Sequence, residues 1–415
     1  MKHRFSSTAF CVILAFRHAT PYARSGKFSI KYRQNNPYLK ASQGVKLTQS
    51  HLSLRATTNL GSYYTPDFIV KKAYKMLEKA IGDKTNNHVL LDSSCGYGSF
   101  LKTHSFKYKI GADIDAQALQ KAKENFKGDK TPPFFLHTNS LHQTTREKFN
   151  ISQRDKLIVV GNPPYNDKTS IIKNTIKDSH FIGVDADLKA RDLGISFLRS
   201  FDKIQADYVC VLHPLSYLIK RTNFQSLKNF TSNYRLLDSL IVSSLFFCPQ
   251  SLGHFPIIIA LYKRDERGMS FDFVCDFLFQ TMEGKSFKIN DFDFISKYID
   301  KYPNKTRIAE AQKTAMFYTM RDINALRRSK TFIEKDCPNA VYVTQQKYSL
   351  YCYVNVFKNF IKHIPYYLGN CDVMIDYQTF KKVEGDFVEA SESGKTTPSI
   401  STYFKTLLKE HYENP

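Results

Sequence analysis

Residues 156–165, with the sequence KLIVVGNPPY, join a short apolar strand directly to two consecutive prolines. Proline has no backbone N–H to donate, so the chain has to leave a sheet where the prolines begin. Asn162 and Tyr165 would then lie at the carboxyl end of the strand, which is where open α/β sheets bind ligands. There, an amide oxygen can accept a hydrogen bond from a planar amino group while the aromatic ring stacks on the group behind it.

A second junction between strand and turn lies upstream, where residues 88–91 (HVLL) run into DSSCGYG at residues 92–98. Glycines at positions 96 and 98 would let a ligand approach the backbone closely. The turn lacks the third glycine of a dinucleotide-binding loop and the Gly-Lys-Ser/Thr of a phosphate-binding loop. Taken alone, it fits an ordinary strand-to-helix turn equally well.

A carboxylate follows the next predicted strand, residues 110–114. Asp113 stands about 20 residues after the glycine turn, where an acidic side chain can accept hydrogen bonds from both ribose hydroxyls of a nucleoside-like ligand. Asp115 is better placed to cap the helix that begins at Ala116. With the glycine turn upstream, Asp113 is a candidate ribose ligand.

Strands and helices alternate from Asp67 to about residue 268. The predicted strands are residues 88–91, 110–114, 134–137, 156–160, 208–212, 237–242 and 257–262. Such alternation predicts an α/β fold with a mostly parallel sheet covered on both faces. After it we predict a mixed domain, in which residues 348–357 form a strand and residues 389–402 an exposed loop.

The composition limits the class of protein. The chain has 415 residues, a formal net charge of +22 and 42% hydrophobic residues, so it is not wholly disordered and fits a polyanionic partner such as nucleic acid. Its eight cysteines form no C-x-x-C pair or zinc-ligand spacing, which predicts buried thiols in a reducing compartment and no metal site. No apolar run approaches the roughly 20 residues that span a bilayer, so we predict no membrane association.

The charge is uneven along the chain. Residues 1–66 contain ten Lys and Arg and no acidic residue, whereas residues 271–415 have a net charge of only +2. We predict a basic, disordered extension over residues 1–55, a ligand-binding domain over residues 56–268 and a second domain over residues 269–415. The extension is also compatible with an organelle transit peptide or with an arm that lies on nucleic acid.

Four segments, in this order, resemble the S-adenosylmethionine-dependent methyltransferases that act on N6 of adenine in DNA. They are GSYYTP at residues 61–66, LDSSCGYGSFL at residues 91–101, Asp113, and NPPY at residues 162–165. The order, with a substrate-reading part last, resembles the gamma subgroup of type II restriction-modification methylases. The resemblance implies a Rossmann-like class I methyltransferase fold with a seven-stranded sheet, a C-terminal target-recognition domain, and S-adenosyl-L-methionine as the cofactor.

The resemblance also implies roles for individual residues. The implied cofactor contacts are Thr65, Asp92, Cys95, Gly96, Gly98, Asp113 and Asn139. The implied catalytic set is Asn162, Pro163, Pro164 and Tyr165. Tyr165 and a further aromatic, for which we select Phe247 over Phe246 and Phe255, would stack on the target base. Asn139 departs from the pattern, because the family usually has an Asp there that accepts from the adenine amino group of the cofactor.

By the same resemblance, the substrate is an adenine flipped out of double-stranded DNA at a specific site. A cognate restriction endonuclease would be the functional partner, and the protein would be cytoplasmic and associated with the nucleoid. NPPY also occurs in enzymes that methylate cytosine N4, guanine N2 of ribosomal RNA, and the glutamine amide of release factors. These substrates, and a catalytically inactive binding module, are the alternatives.

Overall fold

A computed structural model describes residues 65–103, 106–165, 183–248 and 254–414. The predicted basic extension, residues 1–55, lies outside the described residues. The described residues up to Val274, together with Phe279–Ser286, form one compact unit, and Cys275–Leu278 with the residues from Phe287 onward form another. Within the described part of the chain, no helix combines the length and apolar character needed to cross a bilayer.

Seven strands form one sheet in the first unit, in the order β3-β2-β1-β4-β5-β7-β6. They are β1 (His88–Asp92), β2 (Tyr108–Asp113), β3 (Phe134–His137), β4 (Lys156–Gly161), β5 (Tyr208–Pro214), β6 (Tyr234–Ser243) and β7 (Pro256–Arg264). Strands β1 to β5 pair in parallel. All residues of β1 are buried, as expected of a central parallel strand covered on both faces. The α/β fold predicted from the sequence is confirmed.

The helices of this unit form where apolar residues recur at helical spacing. They are α1 (Asp67–Ile81), α2 (Ala116–Asn125), α3 (Leu193–Lys203), α4 (Ser216–Ile219), α5 (Arg221–Ser226) and α6 (Lys228–Asn233). Helix α1 buries residues three and four positions apart, among them Ile69, Ala73 and Leu77. The Asp115 carboxylate caps α2 by accepting from Gln117 N and Ala118 N, which confirms the predicted cap.

Strand β7 runs antiparallel to both of its neighbours, β5 and β6. Its first residues are therefore at the same sheet edge as the carboxyl ends of β4 and β5, and Leu215 N donates to Pro256 O at 3.1 Å. The connection between β6 and β7 thus returns to the edge where the NPPY segment leaves β4. Two parts of the chain, distant in sequence, are brought to one edge by this reversal.

The remaining helices and strands follow. They are α7 (Phe271–Asp276), β8 (Phe279–Gln280), β9 (Ser286–Phe287), β10 (Ala315–Tyr318), α8 (Ile323–Arg328), β11 (Ala340–Val343), α9 (Tyr348–Phe360), α10 (Tyr377–Lys382), α11 (Glu384–Ser393) and α12 (Pro398–Leu408). In the second unit β10 pairs antiparallel with β11. The helices and the β10–β11 pair make this unit the mixed α and β domain that we expected.

Two predictions in the second unit are wrong. Residues 348–357 lie in helix α9, not in a strand, and residues 389–402 belong mostly to helices α11 and α12. The run of Tyr and Val in α9 suggested a strand, but Leu350, Val354 and Phe357 are buried at helical spacing, and its intervening aromatics are buried too. A helix buried nearly all round shows little of the periodicity on which the prediction relied.

Candidate active site

The glycine turn after β1 is held against β2 by its own backbone. Cys95 N donates to Ala112 O at 3.0 Å, and Gly98 N donates to Cys95 O at 2.8 Å. Gly96 and Gly98 have φ angles of +51° and +81°. A β-carbon on Gly98 would lie 2.7 Å from the Phe126 ring. Both the conformation and the packing therefore require glycine, and the turn leaves its backbone open to a ligand.

Asp113, at the end of β2, braces the same turn. Its Oδ2 accepts from Gly96 N at 2.7 Å and its Oδ1 accepts from Asp115 N at 2.9 Å. Burial raises the pKa of the Asp113 carboxyl, although these backbone donors act in the opposite direction. A carboxylate has about four acceptor positions, so it can still accept from ligand hydroxyls beside Gly96. The turn and Asp113 could therefore hold the nucleoside part of a cofactor. Asp113 can accept hydrogen bonds from the ribose hydroxyls, and the glycine turn lets the ligand approach the backbone closely.

Asp92 joins the glycine turn to the NPPY segment. Its side chain is 2% exposed, and burial, with a smaller contribution from the charge of Asp113, raises its pKa to about 8. Gly161 has a φ of +144°, and a β-carbon there would lie 2.7 Å from Asp92 Oδ1. The carboxyl group thus lies directly against the residue that precedes Asn162. Sequence analysis gave Gly161 no role, and a glycine between an apolar strand and NPP was the available signal.

Asn162 forms a hydrogen bond that the sequence did not predict. Its Nδ2 donates to Thr65 Oγ1 at 3.1 Å, and Thr65 is buried. The Oδ1 of Asn162 is also buried, yet it has no hydrogen-bond partner among the residues that the structure describes. In this orientation of the amide, Nδ2 is the end bonded to Thr65 and the atom without a described partner is the acceptor Oδ1. The predicted contact of Thr65 with the cofactor stays a prediction, and the structure adds its contact with Asn162.

Tyr165 is packed against the first turn of helix α3. Its side chain is 8% exposed. A β-carbon on Gly194 would lie 3.0 Å from Tyr165 Cβ and 2.6 Å from Tyr217 Oη. Tyr217 donates to Asp192, whose carboxylate also caps α3 by accepting from Gly194 N at 2.9 Å. Only a glycine at position 194 permits this close approach, and sequence analysis did not identify it.

Asn139 uses its side chain in two backbone contacts. Its Oδ1 accepts from Leu141 N at 3.0 Å, and its Nδ2 donates to Gly183 O at 2.7 Å. The adjacent Ser140 Oγ donates to Ser93 O at 2.6 Å, which places this loop beside the glycine turn. The Asn139 loop therefore lies beside the glycine turn, and the contact of Asn139 with the cofactor adenine stays a prediction.

The three phenylalanines considered as base-stacking partners differ in exposure. Phe246 and Phe247 are 0% and 3% exposed, whereas Phe255 is half-buried. Phe255 is held at the base of the β6–β7 connection, where its N donates to Ser244 Oγ at 3.0 Å. Phe247 is buried in this structure, as Tyr165 is, whereas Phe255 is partly exposed. Phe255 is the more accessible residue at the same sheet edge.

Residues 49–220, a segment that includes the glycine turn and NPPY, match the family model described as N-6 DNA Methylase. This region belongs to that family. The N-6 DNA methylase assignment confirms the resemblance inferred from the sequence and makes the protein a methyltransferase. The cofactor, S-adenosyl-L-methionine, and the roles of individual residues stay predictions. No curated protein matches the chain.

Solved structures similar to this methylase include a putative class I S-adenosylmethionine-dependent methyltransferase from Listeria monocytogenes, with 14% identity over 63% of this chain and 74% of that chain and a TM-score of 0.40. Another is a modification subunit of a putative type I restriction enzyme from Vibrio vulnificus, with 15% identity over 64% and 54% of the two chains and a TM-score of 0.39. The type I restriction enzyme EcoKI M protein has 13% identity over 55% and 50%, with a TM-score of 0.38.

The described residues contain no group of three or more His, Cys, Asp or Glu side chains that could hold a metal ion. The free cysteines that line the sheet are buried, and burial raises the pKa of the Cys95 thiol well above its ordinary value. A thiol held in this form is a poor nucleophile. The polar groups that converge at the sheet edge are therefore hydrogen-bonding groups: the Asn162 amide, the Asp113 carboxylate and open backbone.

Proposed function

We propose that this methyltransferase transfers a methyl group from S-adenosyl-L-methionine to N6 of an adenine flipped out of double-stranded DNA. The observation that carries the proposal is the buried Asn162 Oδ1, an acceptor with no partner among the described residues. Leaving a buried acceptor unpaired costs about 1–3 kcal/mol. A substrate that supplies an N–H donor would remove this cost, and the exocyclic amino group of adenine is such a donor.

In the structure, the Asn162 amide turns its Nδ2 towards Thr65. With Nδ2 committed to Thr65 Oγ1, the oxygen is the end available to a substrate. A planar amino group is a poor nucleophile, because its lone pair is delocalised into the ring. Donation to Asn162 Oδ1 and to the Pro163 carbonyl would draw the nitrogen towards tetrahedral geometry and localise the lone pair. The protein then contributes by positioning and by preorganised hydrogen-bond acceptors.

The cofactor, when bound, supplies a methyl group already activated by a positively charged sulfur. In our proposal Gly96, Gly98 and Asp113 hold its nucleoside part, and Asp92, Cys95 and Asn139 complete the pocket. The Asp113 carboxylate is already oriented by Gly96 N, at 2.7 Å, so little ordering remains for a ligand to induce. The direct contact of Asp92 with Gly161 keeps this pocket next to the NPPY segment.

The target base has to leave the duplex, at a cost of a few kcal/mol. Stacking on an aromatic ring is worth about 1–3 kcal/mol per base. Tyr165 is suited to this role because its position is fixed from behind by Gly194, so that stacking orders little else. We assign the second stacking role to Phe255 in place of Phe247, since Phe255 is only half-buried.

The partners follow from the same proposal. DNA fits the net charge of +22, of which +10 lies on residues 67–270. Protection of host DNA from a cognate restriction endonuclease is the biological role that we propose.

The substrate is tested with radiolabelled S-adenosylmethionine and three acceptors: duplex DNA, ribosomal RNA and a release factor. We expect label in DNA, as N6-methyladenine after nuclease digestion. Asn162→Ala should bind the cofactor with an unchanged Kd and lose transfer by about 10²–10³-fold, the loss typical of removing one preorganised hydrogen-bond partner. Asn229→Ala, an exposed position on α6, is the matched control. Label found only in RNA, in protein or in N4-methylcytosine would refute the substrate.

A further inference from the structure

A short segment that follows the NPPY region, residues 183–190, lies between the predicted cofactor pocket and helix α3. On the pocket side, Asn139 Nδ2 donates to Gly183 O at 2.7 Å and Asp185 N donates to Leu141 O at 2.8 Å. The Asp185 carboxylate accepts in return from Gln143 N at 2.7 Å and from Thr144 N at 3.0 Å. Four hydrogen bonds thus join the Asn139 loop to this segment.

The same segment is fixed to α3 on its other side. Lys203 Nζ donates to Asp185 Oδ2 at 3.0 Å, and Arg199 Nη1 donates to Lys189 O at 2.8 Å. Ala190 N donates to Ser196 Oγ at 3.2 Å. Helix α3 begins with the turn whose Gly194 packs on Tyr165. A continuous set of contacts therefore runs from Asn139 to the β-carbon of Tyr165, whose ring we assign to the target base.

The choice of Asn at position 139 has a chemical reason in these contacts. Leu141 N has a hydrogen to donate, so the side-chain atom facing it has to be an oxygen, and the atom facing Gly183 O has to be a donor. An Asp could accept from Leu141 N but could not donate to Gly183 O. Its second oxygen would instead stand against a carbonyl oxygen at 2.7 Å, which is repulsive. Asp, the residue found at this place in the resembling family, does not fit these two contacts.

We infer that Asn139 is a positioning residue that couples the cofactor pocket to Tyr165 through residues 183–190 and helix α3. The inference rests on the proposed function and extends it, since it gives one side chain a part in both the cofactor pocket and the placement of the target base. Coupling of this kind is reciprocal for binding. The factor by which bound cofactor changes the Kd for DNA equals the factor by which bound DNA changes the Kd for cofactor. Loss of the Asn139 link should reduce both effects equally.

Asn139→Asp separates the two roles of this side chain, because it should strengthen the contact with the cofactor and remove the hydrogen bond to Gly183 O. A carboxylate accepts more strongly from an amino group than a carboxamide does, so the Kd for S-adenosylmethionine should stay the same or fall. Methyl transfer to DNA should fall about tenfold, because one hydrogen bond in the link is replaced by repulsion. Backbone amide hydrogen exchange at Thr144 and Asp185 should accelerate. Asn229→Asp makes the same change of charge at an exposed position and is the control.

Asp185→Asn tests the link from its other end. It weakens acceptance from Gln143 N and Thr144 N without touching the side chain that faces the cofactor pocket. We expect an unchanged cofactor Kd, faster exchange of the same amides, and a similar loss of transfer. Asn139→Asp and Asp185→Asn should each also reduce the mutual effect of S-adenosylhomocysteine and DNA on each other's Kd.

The inference is wrong if Asn139→Asp binds cofactor as tightly as the native protein and also transfers methyl groups and exchanges Thr144 and Asp185 amides at native rates. It is equally wrong if the variant's only defect is weaker cofactor binding. Failure of the proposed function would look different: native protein would not methylate DNA at all. The cofactor Kd and the amide exchange of both variants would still report on the link in that case.

Discussion

Thr65→Val tests whether Thr65 acts on the catalytic amide, as its 3.1 Å contact with Asn162 Nδ2 indicates, or on the cofactor. Valine has nearly the shape of threonine but accepts no hydrogen bond, so the Nδ2 group of Asn162 would lose its partner at a site where Thr65 is only 5% exposed. An unpaired buried donor costs about 1–3 kcal/mol. The Asn162 amide would also lose its contact with Thr65, which helps to hold it in position.

At 1.36 kcal/mol per factor of ten, this cost corresponds to a fall in the transfer rate of roughly 5- to 150-fold. Single-turnover transfer of a labelled methyl group to DNA measures the chemical step, and isothermal titration measures the Kd for cofactor separately. We expect a slower chemical step at an unchanged Kd, and near-native behaviour from Thr65→Ser, which keeps the acceptor. A variant that weakens cofactor binding but transfers at the native rate would show that Thr65 contacts the cofactor instead.

Gly194→Ala should destabilise the protein by about 1–3 kcal/mol and slow DNA methylation, because the new β-carbon would stand 2.6 Å from Tyr217 Oη. Urea unfolding measures the loss of stability. Gly385→Ala is the control and should be neutral or stabilising, because nothing lies within 4 Å of a β-carbon there. Phe247→Ala should cost about 3–5 kcal/mol of stability, because it opens a cavity in the core. Phe255→Ala should weaken DNA methylation with a smaller loss of stability. If Phe247→Ala weakened methylation at native stability while Phe255→Ala destabilised the protein without affecting methylation, our assignment would be wrong. Burial raises the pKa of Asp92 to about 8, so the folded protein retains a proton that the unfolded chain releases near pH 4. The stability that this group contributes is therefore fully present below pH 4 and is lost as the pH rises to about 8, by at most ~6 kcal/mol, and Asp92→Asn should flatten that part of the unfolding profile.

The elements of the sheet could be predicted because short apolar strands alternate with helices and end in glycine or proline. Asn162 and Asp113 could be found because each directly follows or ends such a strand. Gly194 could not, since its role depends on a tyrosine in a segment 29 residues earlier, and nothing local in a helix marks a glycine as a packing site. The Thr65 contact was missed for the same reason, because it joins residues 97 positions apart.

Helix α9 illustrates a different limit. Its residues are so uniformly apolar that the one-sided pattern of a surface helix is absent, and β-branched and aromatic residues then favour a strand. The resemblance drew attention to Asn139, but its partner Gly183 lies 44 residues away in the sequence, so the chemical reason for Asn in place of Asp could not be predicted. Polar groups that directly follow a strand could thus be located from the sequence. Contacts between loops that are distant in sequence became visible only in the folded structure.

The reversal of β7 has a consequence for how this site can vary. Tyr234 and Arg264, the outer ends of the β6–β7 hairpin, pair with each other at the sheet edge opposite Asn162. The hairpin therefore enters and leaves the sheet far from the chemistry and delivers only its tip, with Phe255, to the reactive edge. A tip of different length or composition could be exchanged as one module, with no change to the strand ends, the glycine turn or NPPY. If our proposed function is right, the surroundings of the target base can thus be altered, in evolution or in a designed library, independently of the residues that activate its amino group.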